Sequence, residues 1–263
     1  MYESDLHTPT RKYTCSNFDY IKSKQVEDRA IIGNDDRIIL QDYQYTLSPY
    51  RSVCMIITTF NEEPNTGHLG TGFLVGPHTI LTACHVLYDV SEDHNYGWFD
   101  NINIRFGTYV DGNNVQIYPY GEITTFSSAS CGSYRDTQNT NDDWALLELT
   151  TDIGNNLGFF GVTSSLSDDD SVWAIGYSGD LGGNMGYSYG EADDVETYQF
   201  EFDCDMTGGC SGGAVIKTSN NLVCGIVSSE SWFWFFGFHY TNHACKVSQY
   251  IVAWIEERQF NYS

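Results

Sequence analysis

Basic residues are scarce in this chain: 12 Lys and Arg stand against 35 Asp and Glu, a formal net charge of −23 over 263 residues. Nucleic-acid surfaces neutralise phosphates with Lys and Arg, so nucleic acid is excluded as a partner. No apolar run approaches the ~20 residues that cross a bilayer as a helix, and no membrane span is expected. Residues 1 to 10 lack the apolar core of a secretory leader, so no signal peptide is visible. No internal repeat is present. The acidic excess reads as a soluble surface, with long-range steering of basic substrates as the alternative. A hydrophobic content of 41% supports a packed core, and the length allows one large domain or two small ones. The eight cysteines are an even number, which suits disulfides in an exported protein, but their spacing leaves the pairing open.

Short apolar or alternating runs dominate from Ile31 onward. They lie at 53–58, 72–75, 79–82, 102–106, 115–120, 145–149, 172–175, 198–202, 214–217 and 222–228, separated by Gly, Asn and Asp clusters. Many short strands at such spacing point to an all-β sandwich or barrel. Lys246 to Arg258 reads as a helix, with Val247, Ile251, Trp254 and Ile255 at helical spacing.

Three short signals carry chemistry. Thr82-Ala83-Cys84-His85 closes a strand-like run. Asn141-Asp142-Asp143-Trp144-Ala145 opens another. Gly208-Gly209-Cys210-Ser211-Gly212-Gly213 follows downstream. Together they supply His85 as base, Asp143 as its orienting acid and Ser211 as nucleophile. Taken singly, each has a plain alternative: a buried His, an Asp turn, a glycine loop. Gly209-Cys210-Ser211-Gly212-Gly213 also fits a nucleophile elbow, but that arrangement needs acid and histidine after the serine. Here no Asp follows Ser211, and Ala214-Val215-Ile216-Lys217 reads as strand. Cys210 is a minor alternative nucleophile.

From about Ile31 to Arg258 the sequence resembles the chymotrypsin-like serine peptidases, most closely their glutamyl-endopeptidase (V8-like) branch. Ile32-Gly33-Asn34-Asp35-Asp36-Arg37 is similar to that branch's mature start, and Ser48-Pro49-Tyr50-Arg51 to its next segment. Gly70-Thr71-Gly72-Phe73-Leu74-Val75, the Thr207-Gly208-Gly209-x-Ser211-Gly212 motif, Gly225-Ile226-Val227-Ser228 and Val247-x-x-Tyr250-x-x-x-Trp254-Ile255 follow in family order. The resemblance implies a double antiparallel β-barrel with a C-terminal helix and a cleft between the barrels. It divides the chain into an N-terminal extension at 1–30, a first barrel at 31–157 with His85 and Asp143, and a second at 158–263 with Ser211. The extension reads equally as a propeptide cut between Arg29 and Ile31 or as a disordered tail.

The resemblance further implies a secreted serine endopeptidase acting on proteins or peptides, as a monomer and without cofactor or metal. Gly209 and Ser211 would supply the N–H groups of an oxyanion hole. His239-x-x-x-His243-x-Cys245 has metal-like spacing, but the family places a strand-to-helix segment there. The primary pocket would be lined by Asp205, Met206, Val227, Ser228 and Ser229. Val227 stands where the glutamyl branch has the histidine that receives the substrate Glu, and Met206 stands where that branch places a threonine just before Thr-Gly-Gly. Asp205 lies six residues before Ser211, where the trypsin branch keeps an aspartate for Arg or Lys, so a basic P1 residue is slightly favoured over an acidic one; an Asp in the turn after Cys204 is the alternative. Glu230 and the run Trp232-Phe233-Trp234-Phe235-Phe236 lie beside the expected pocket wall. The competing readings are a binding protein on the same fold and an enzyme held latent by its own N-terminal segment.

Overall fold

The computed structural model describes residues 31–90, 96–234 and 238–260. The extension at 1–30, with Cys15, lies outside the described residues, as do the side chains of Glu230 and of the aromatic run that follows it.

Two antiparallel sheets make up the body. In the first, the strands run in the order Phe126–Cys131, Ala145–Leu149, Thr79–Thr82, His68–Leu74, Val53–Thr59 and Asn101–Phe106. Val53–Thr59 is rich in β-branched residues, and all seven of its side chains are buried, as suits a strand with neighbours on both sides. Ile104 and Ile123 exchange backbone hydrogen bonds of 2.9 Å, which brings the outer strand back toward the start of Phe126–Cys131 and curls the sheet. In the second sheet, Asn184–Asp193, Ser171–Ser178, Ala214–Lys217, Leu222–Trp234, Phe238–Lys246 and Gln199–Phe202 follow one another. The pairs Ala192↔Phe202 and Asp193↔Glu201 join its two ends and close the ring. Closure leaves those ends without an unpaired edge. Ile38–Ile39 pair with Tyr187 and Gly186 on the outside of this second sheet, so the N-terminal segment is bonded to the C-terminal half. The architecture is the all-β double barrel with a C-terminal helix that the sequence implies.

Two expectations are corrected. The run at 115–120 contributes only Gln116–Ile117, paired with Tyr109–Val110. Asp111 Oδ1 accepts from the N–H groups of Asn113 and Val115, and Asn114 takes φ 59°; this side-chain turn makes a hairpin too tight for a longer strand. Cysteine pairing is the second: Cys54, Cys84, Cys131, Cys204, Cys210, Cys224 and Cys245 are all free thiols. Burial raises the pKa of most of them, that of Cys224 to about 12, so they serve as small apolar core residues.

The terminal helix spans Gln249–Phe260, two residues beyond the expected end. Ile251 and Ile255 are buried. Although it follows the second sheet, it packs on the first. Trp254 meets the Trp144 ring edge-on at 5.8 Å, and the Arg258 guanidinium lies over Trp254 at 4.5 Å. Arg258 Nε then reaches Glu148 Oε1 at 2.9 Å, Arg258 Nη2 donates to Ser130, and Gln259 donates to the Val75 carbonyl. Glu148 is 3% exposed. Burial pushes its carboxyl above the ordinary range, against the pull of Thr79, Arg258 and His78.

Removing one partner of a buried ion pair costs about 3–5 kcal/mol, whereas replacing both by apolar groups is often near neutral. Arg258→Met should therefore destabilise the fold at neutral pH, and Glu148→Leu/Arg258→Met should recover most of the loss in urea unfolding. With its folded pKa raised, Glu148 contributes most favourably as the neutral acid at low pH and loses that contribution as pH rises through its folded value. The deficit of Arg258→Met should accordingly shrink on acidification.

Candidate active site

The strand Ala145–Leu149 lies beside Thr79–Thr82, with Ala145 opposite Thr82. This register sets the residues just before Ala145 against those just after Thr82. Asp143 follows the turn Thr140–Asp142, and His85 lies in the short helical turn Cys84–Leu87. The His85 backbone N–H donates to Asp143 Oδ1 at 3.0 Å, and its Nδ1 lies 2.7 Å from Oδ2. Ser228 adds a hydroxyl bond of 2.5 Å to the same Oδ2. Ser228, expected in the substrate pocket, gives its hydroxyl to the acid.

Burial by itself disfavours both charges. It would raise the carboxyl of Asp143, which is 1% exposed, but the His85 charge and the bonds from His85 and Ser228 hold it below the ordinary range. Burial would likewise lower His85, but the Asp143 charge and hydrogen bond outweigh it, and its pKa is raised. The pair is built to stabilise an imidazolium.

Ser211 comes from the turn ahead of Ala214–Lys217 in the other sheet. Thr71, fully buried on His68–Leu74, ties that turn to the first sheet. Its N–H donates to the Ser211 carbonyl at 2.8 Å and its hydroxyl to the Gly209 carbonyl at 2.8 Å. The hydroxyl also accepts from the Tyr177 N–H at 2.9 Å, and the Thr71 carbonyl accepts from the Thr82 hydroxyl at 2.7 Å. Two glycines permit the fit. Gly209 has φ +100°, and a Cβ there would meet the Tyr177 carbonyl at 2.6 Å. Gly212 has φ +82°, and a Cβ would strike Thr71 and Thr82 and lie 3.0 Å from the Ala83 N–H, two residues before His85.

The carbonyls of the turn are taken one after another. Thr207 accepts from Cys210, Gly208 from Gly179, Gly209 and Ser211 from Thr71, and Cys210 from Gly213. Among the described residues, the N–H groups of Gly209 and Ser211 and the Ser211 hydroxyl have no hydrogen-bond partner. A turn with its acceptors engaged and two donors unengaged suits an incoming oxyanion. Cys210 faces the other way, 1% exposed, its sulfur 3.0 Å from the Ser178 hydroxyl. Burial raises its pKa, which argues against it as nucleophile.

Asp205 is not an open pocket floor. It is 2% exposed, with Oδ1 accepting from the Ile32 N–H at 2.7 Å and Oδ2 from the Asp36 N–H at 2.9 Å. Its carboxyl is bound to the N-terminal segment. Met206 and Val227 are buried and Ser229 is half-buried. His243 lies 3.7 Å from Glu201, and Cys245 donates to the Asn141 carbonyl. Among the described residues, no group of three or more His, Cys, Asp or Glu is placed to hold a metal ion. Thr71 and Arg37 were not singled out as site residues in the sequence, although both lie inside the segments that carry the resemblance.

Comparison with known proteins finds similar peptidases. The family model for the trypsin-like peptidase domain matches residues 70–226. A glutamyl endopeptidase of Bacillus licheniformis is 32% identical over 197 residues, 73% of this chain and 56% of its own length. A Bacillus subtilis protein described as an extracellular metalloprotease is 29% identical over 201 residues, 73% of this chain and 58% of its own. The chain thus spans little more than half the length of these curated relatives. Among solved structures, a Glu endopeptidase in complex with MPD superposes with a TM-score of 0.70 at 21% identity, covering 87% of this chain and 99% of its own. The protease Anisep from Arthrobacter nicotinovorans gives 0.61 at 17% identity, covering 79% and 95%.

The His85–Asp143 pair makes a titration prediction. In an NMR titration the His85 ring should lose its proton above the usual imidazole value of ~6.5. In Asp143→Asn the midpoint should fall, because burial is then unopposed. The sign for stability follows: the charged ring stabilises the fold below ~6.5 and that contribution fades as pH rises through its folded value. The Asp143 contribution, with a lowered pKa, is instead lost as pH falls.

Proposed function

The chain belongs to the trypsin-like peptidase family, and from that premise we propose that it is a serine endopeptidase that cleaves proteins or peptides through an acyl-enzyme on Ser211. The observation that carries the reading is the Thr207–Ser211 turn. Its carbonyls are all engaged, while among the described residues the N–H groups of Gly209 and Ser211 have no partner, nor does the Ser211 hydroxyl beside them.

In the proposed cycle, neutral His85 takes the Ser211 proton as the hydroxyl oxygen attacks the substrate carbonyl. Asp143 holds Nδ1–H and stabilises the imidazolium. The carbonyl oxygen becomes an oxyanion between the N–H groups of Gly209 and Ser211, each such donor being worth roughly 3 kcal/mol in the transition state. The C–N bond then breaks and the imidazolium protonates the leaving amine. Water, deprotonated by the same ring, attacks the acyl-enzyme carbonyl, and the imidazolium gives that proton to the Ser211 oxygen as the ester bond breaks. Every group in this scheme comes from a single chain, so a monomer suffices.

For substrate choice we propose a neutral, apolar P1 side chain. Selection of Arg or Lys by Asp205 is not supported, because both of its oxygens are already bonded to backbone N–H groups. Met206 and Val227 leave an apolar lining, and a basic side chain buried there without a partner would be strongly disfavoured. An extracellular place of action is proposed by analogy with the description of the Bacillus subtilis relative.

An active-site phosphonate should label the protein stoichiometrically at Ser211, and Ser211→Ala should abolish labelling and lower kcat by about 10⁶-fold. The acid limb of kcat/KM should lie above the ordinary imidazole value, since His85 must be neutral to act. A panel of peptides varied at P1 should rank Leu or Phe above Lys and Arg; a clear preference for Lys or Arg would return Asp205 to the pocket.

A further inference from the structure

Residues 32–37 do more than anchor on Asp205. The side chain of Arg37 is 3% exposed, and all five of its guanidinium N–H groups are used. Nε donates to Asp35 Oδ1 at 2.9 Å and Nη2 to Asp35 Oδ2 at 2.8 Å. A second fork reaches Asp180, Nη1 to Oδ1 at 3.0 Å and Nη2 to Oδ2 at 2.7 Å. The remaining Nη1 hydrogen goes to the Thr207 hydroxyl at 3.0 Å, which itself donates to Asp180 Oδ1 at 2.6 Å. Hydrogen bonds from Arg37, with its charge, hold both carboxyls below the usual range.

Thr207 and the residue preceding Asp180 hold the Ser211 turn from behind. The Thr207 carbonyl accepts the Cys210 N–H at 3.0 Å, and Gly179, next to Asp180, donates its N–H to the Gly208 carbonyl at 2.8 Å. With donor and acceptor both engaged, the Thr207 hydroxyl has one orientation open to it. A planar guanidinium with two carboxylate forks is stiff, and it transmits that stiffness to the residue two positions before Gly209.

We propose that Arg37 is a positioning residue for the oxyanion turn. By fixing Thr207 against Asp180 it aims the N–H groups of Gly209 and Ser211 into one hole, and the segment 32–37 is thereby part of the catalytic apparatus. This rests on the reading of Gly209 and Ser211 as oxyanion donors. Lysine cannot replace Arg37, because a point charge cannot form two forks and a fifth bond at once. Misaimed donors weaken binding of the transition state while leaving substrate binding intact, so the loss should fall on kcat.

The test uses Arg37→Ala, Arg37→Lys and Thr207→Val in the full chain. Thr207→Val keeps the guanidinium and both carboxylates and deletes the hydroxyl link alone. Each variant is titrated with the phosphonate to count active sites, then assayed for kcat and KM on an amide peptide below its unfolding temperature. The expected result is a fall in kcat per titrated site of about 10–100-fold, part of what a missing oxyanion donor costs, with KM within about twofold. Thr207→Val should reproduce it even where the Arg37 variants fold poorly. Wild-type kcat in folded variants, or a change in KM alone, would overturn the inference while leaving the nucleophile intact. A wild-type protein inert to the phosphonate would overturn the nucleophile reading and this inference with it.

Discussion

The placement of the Ser211 turn against the His85–Asp143 pair depends on Thr71. A fully buried threonine offers one N–H, one carbonyl and one hydroxyl. Here the N–H and hydroxyl donate to the Ser211 turn, the hydroxyl accepts from Tyr177, and the carbonyl accepts from Thr82. Three of these contacts reach the second sheet and one stays in the first. Water cannot compete for groups so deeply buried, and each would be costly to leave unmade. The two sheets therefore have essentially one relative placement that satisfies Thr71. Serine would keep the hydroxyl and lose the methyl that restrains its rotation; valine would lose the bonds to Gly209 and Tyr177 together.

Charge is used economically in this strongly acidic chain. Arg37 and Arg258 are both nearly buried, and each meets carboxylate and hydroxyl groups at a place where distant segments meet. Arg37 locks the N-terminal segment to the second sheet, and Arg258 locks the C-terminal helix to the first. The helix thus crosses back over the seam, with Trp254 and Tyr250 against Trp144, the residue that follows Asp143. The segment 32–37 and the C-terminal helix are thus each held by a guanidinium, whose planar fork suits contact with carboxylates.

Much of the fold was legible because most strands combine β-branched residues with turn punctuation. Val53–Thr59, Thr79–Thr82, Ala145–Leu149 and Ala214–Lys217 stand within a residue of expectation. Phe126–Cys131 was not anticipated: Phe-Ser-Ser-Ala-Ser-Cys has little apolar alternation, and its strand character comes from pairing with Ala145–Leu149. Asn184–Asp193 was hidden likewise by its glycines and acids, although its pairing with three other strands holds it in place. The candidate His, Asp and Ser were readable because each lies in a short motif at a strand end. The true partners of Asp205 were not, because Ile32 and Asp36 bond through backbone N–H groups, and a main-chain donor leaves no trace in residue identity. The Ser228 hydroxyl bond to Asp143 was out of reach for a related reason: only the packing of the two sheets turns its hydroxyl toward Asp143.

The pairing of Ile38 with Tyr187, and of Ile32 with Asp205, has a consequence in time. A ribosome releases the first sheet long before residue 205 exists, so the partners of the early segment are missing while most of the chain is made. Contacts of such sequence separation close late and slowly. The His85–Asp143 pair can form within the early half, but Arg37 and the turn it braces come together only when the second barrel has closed. On the proposed reading, a growing chain with His85 and Asp143 paired but the Ser211 turn not yet braced would lack its oxyanion donors, so the connectivity itself would defer catalytic competence to the last stage of folding.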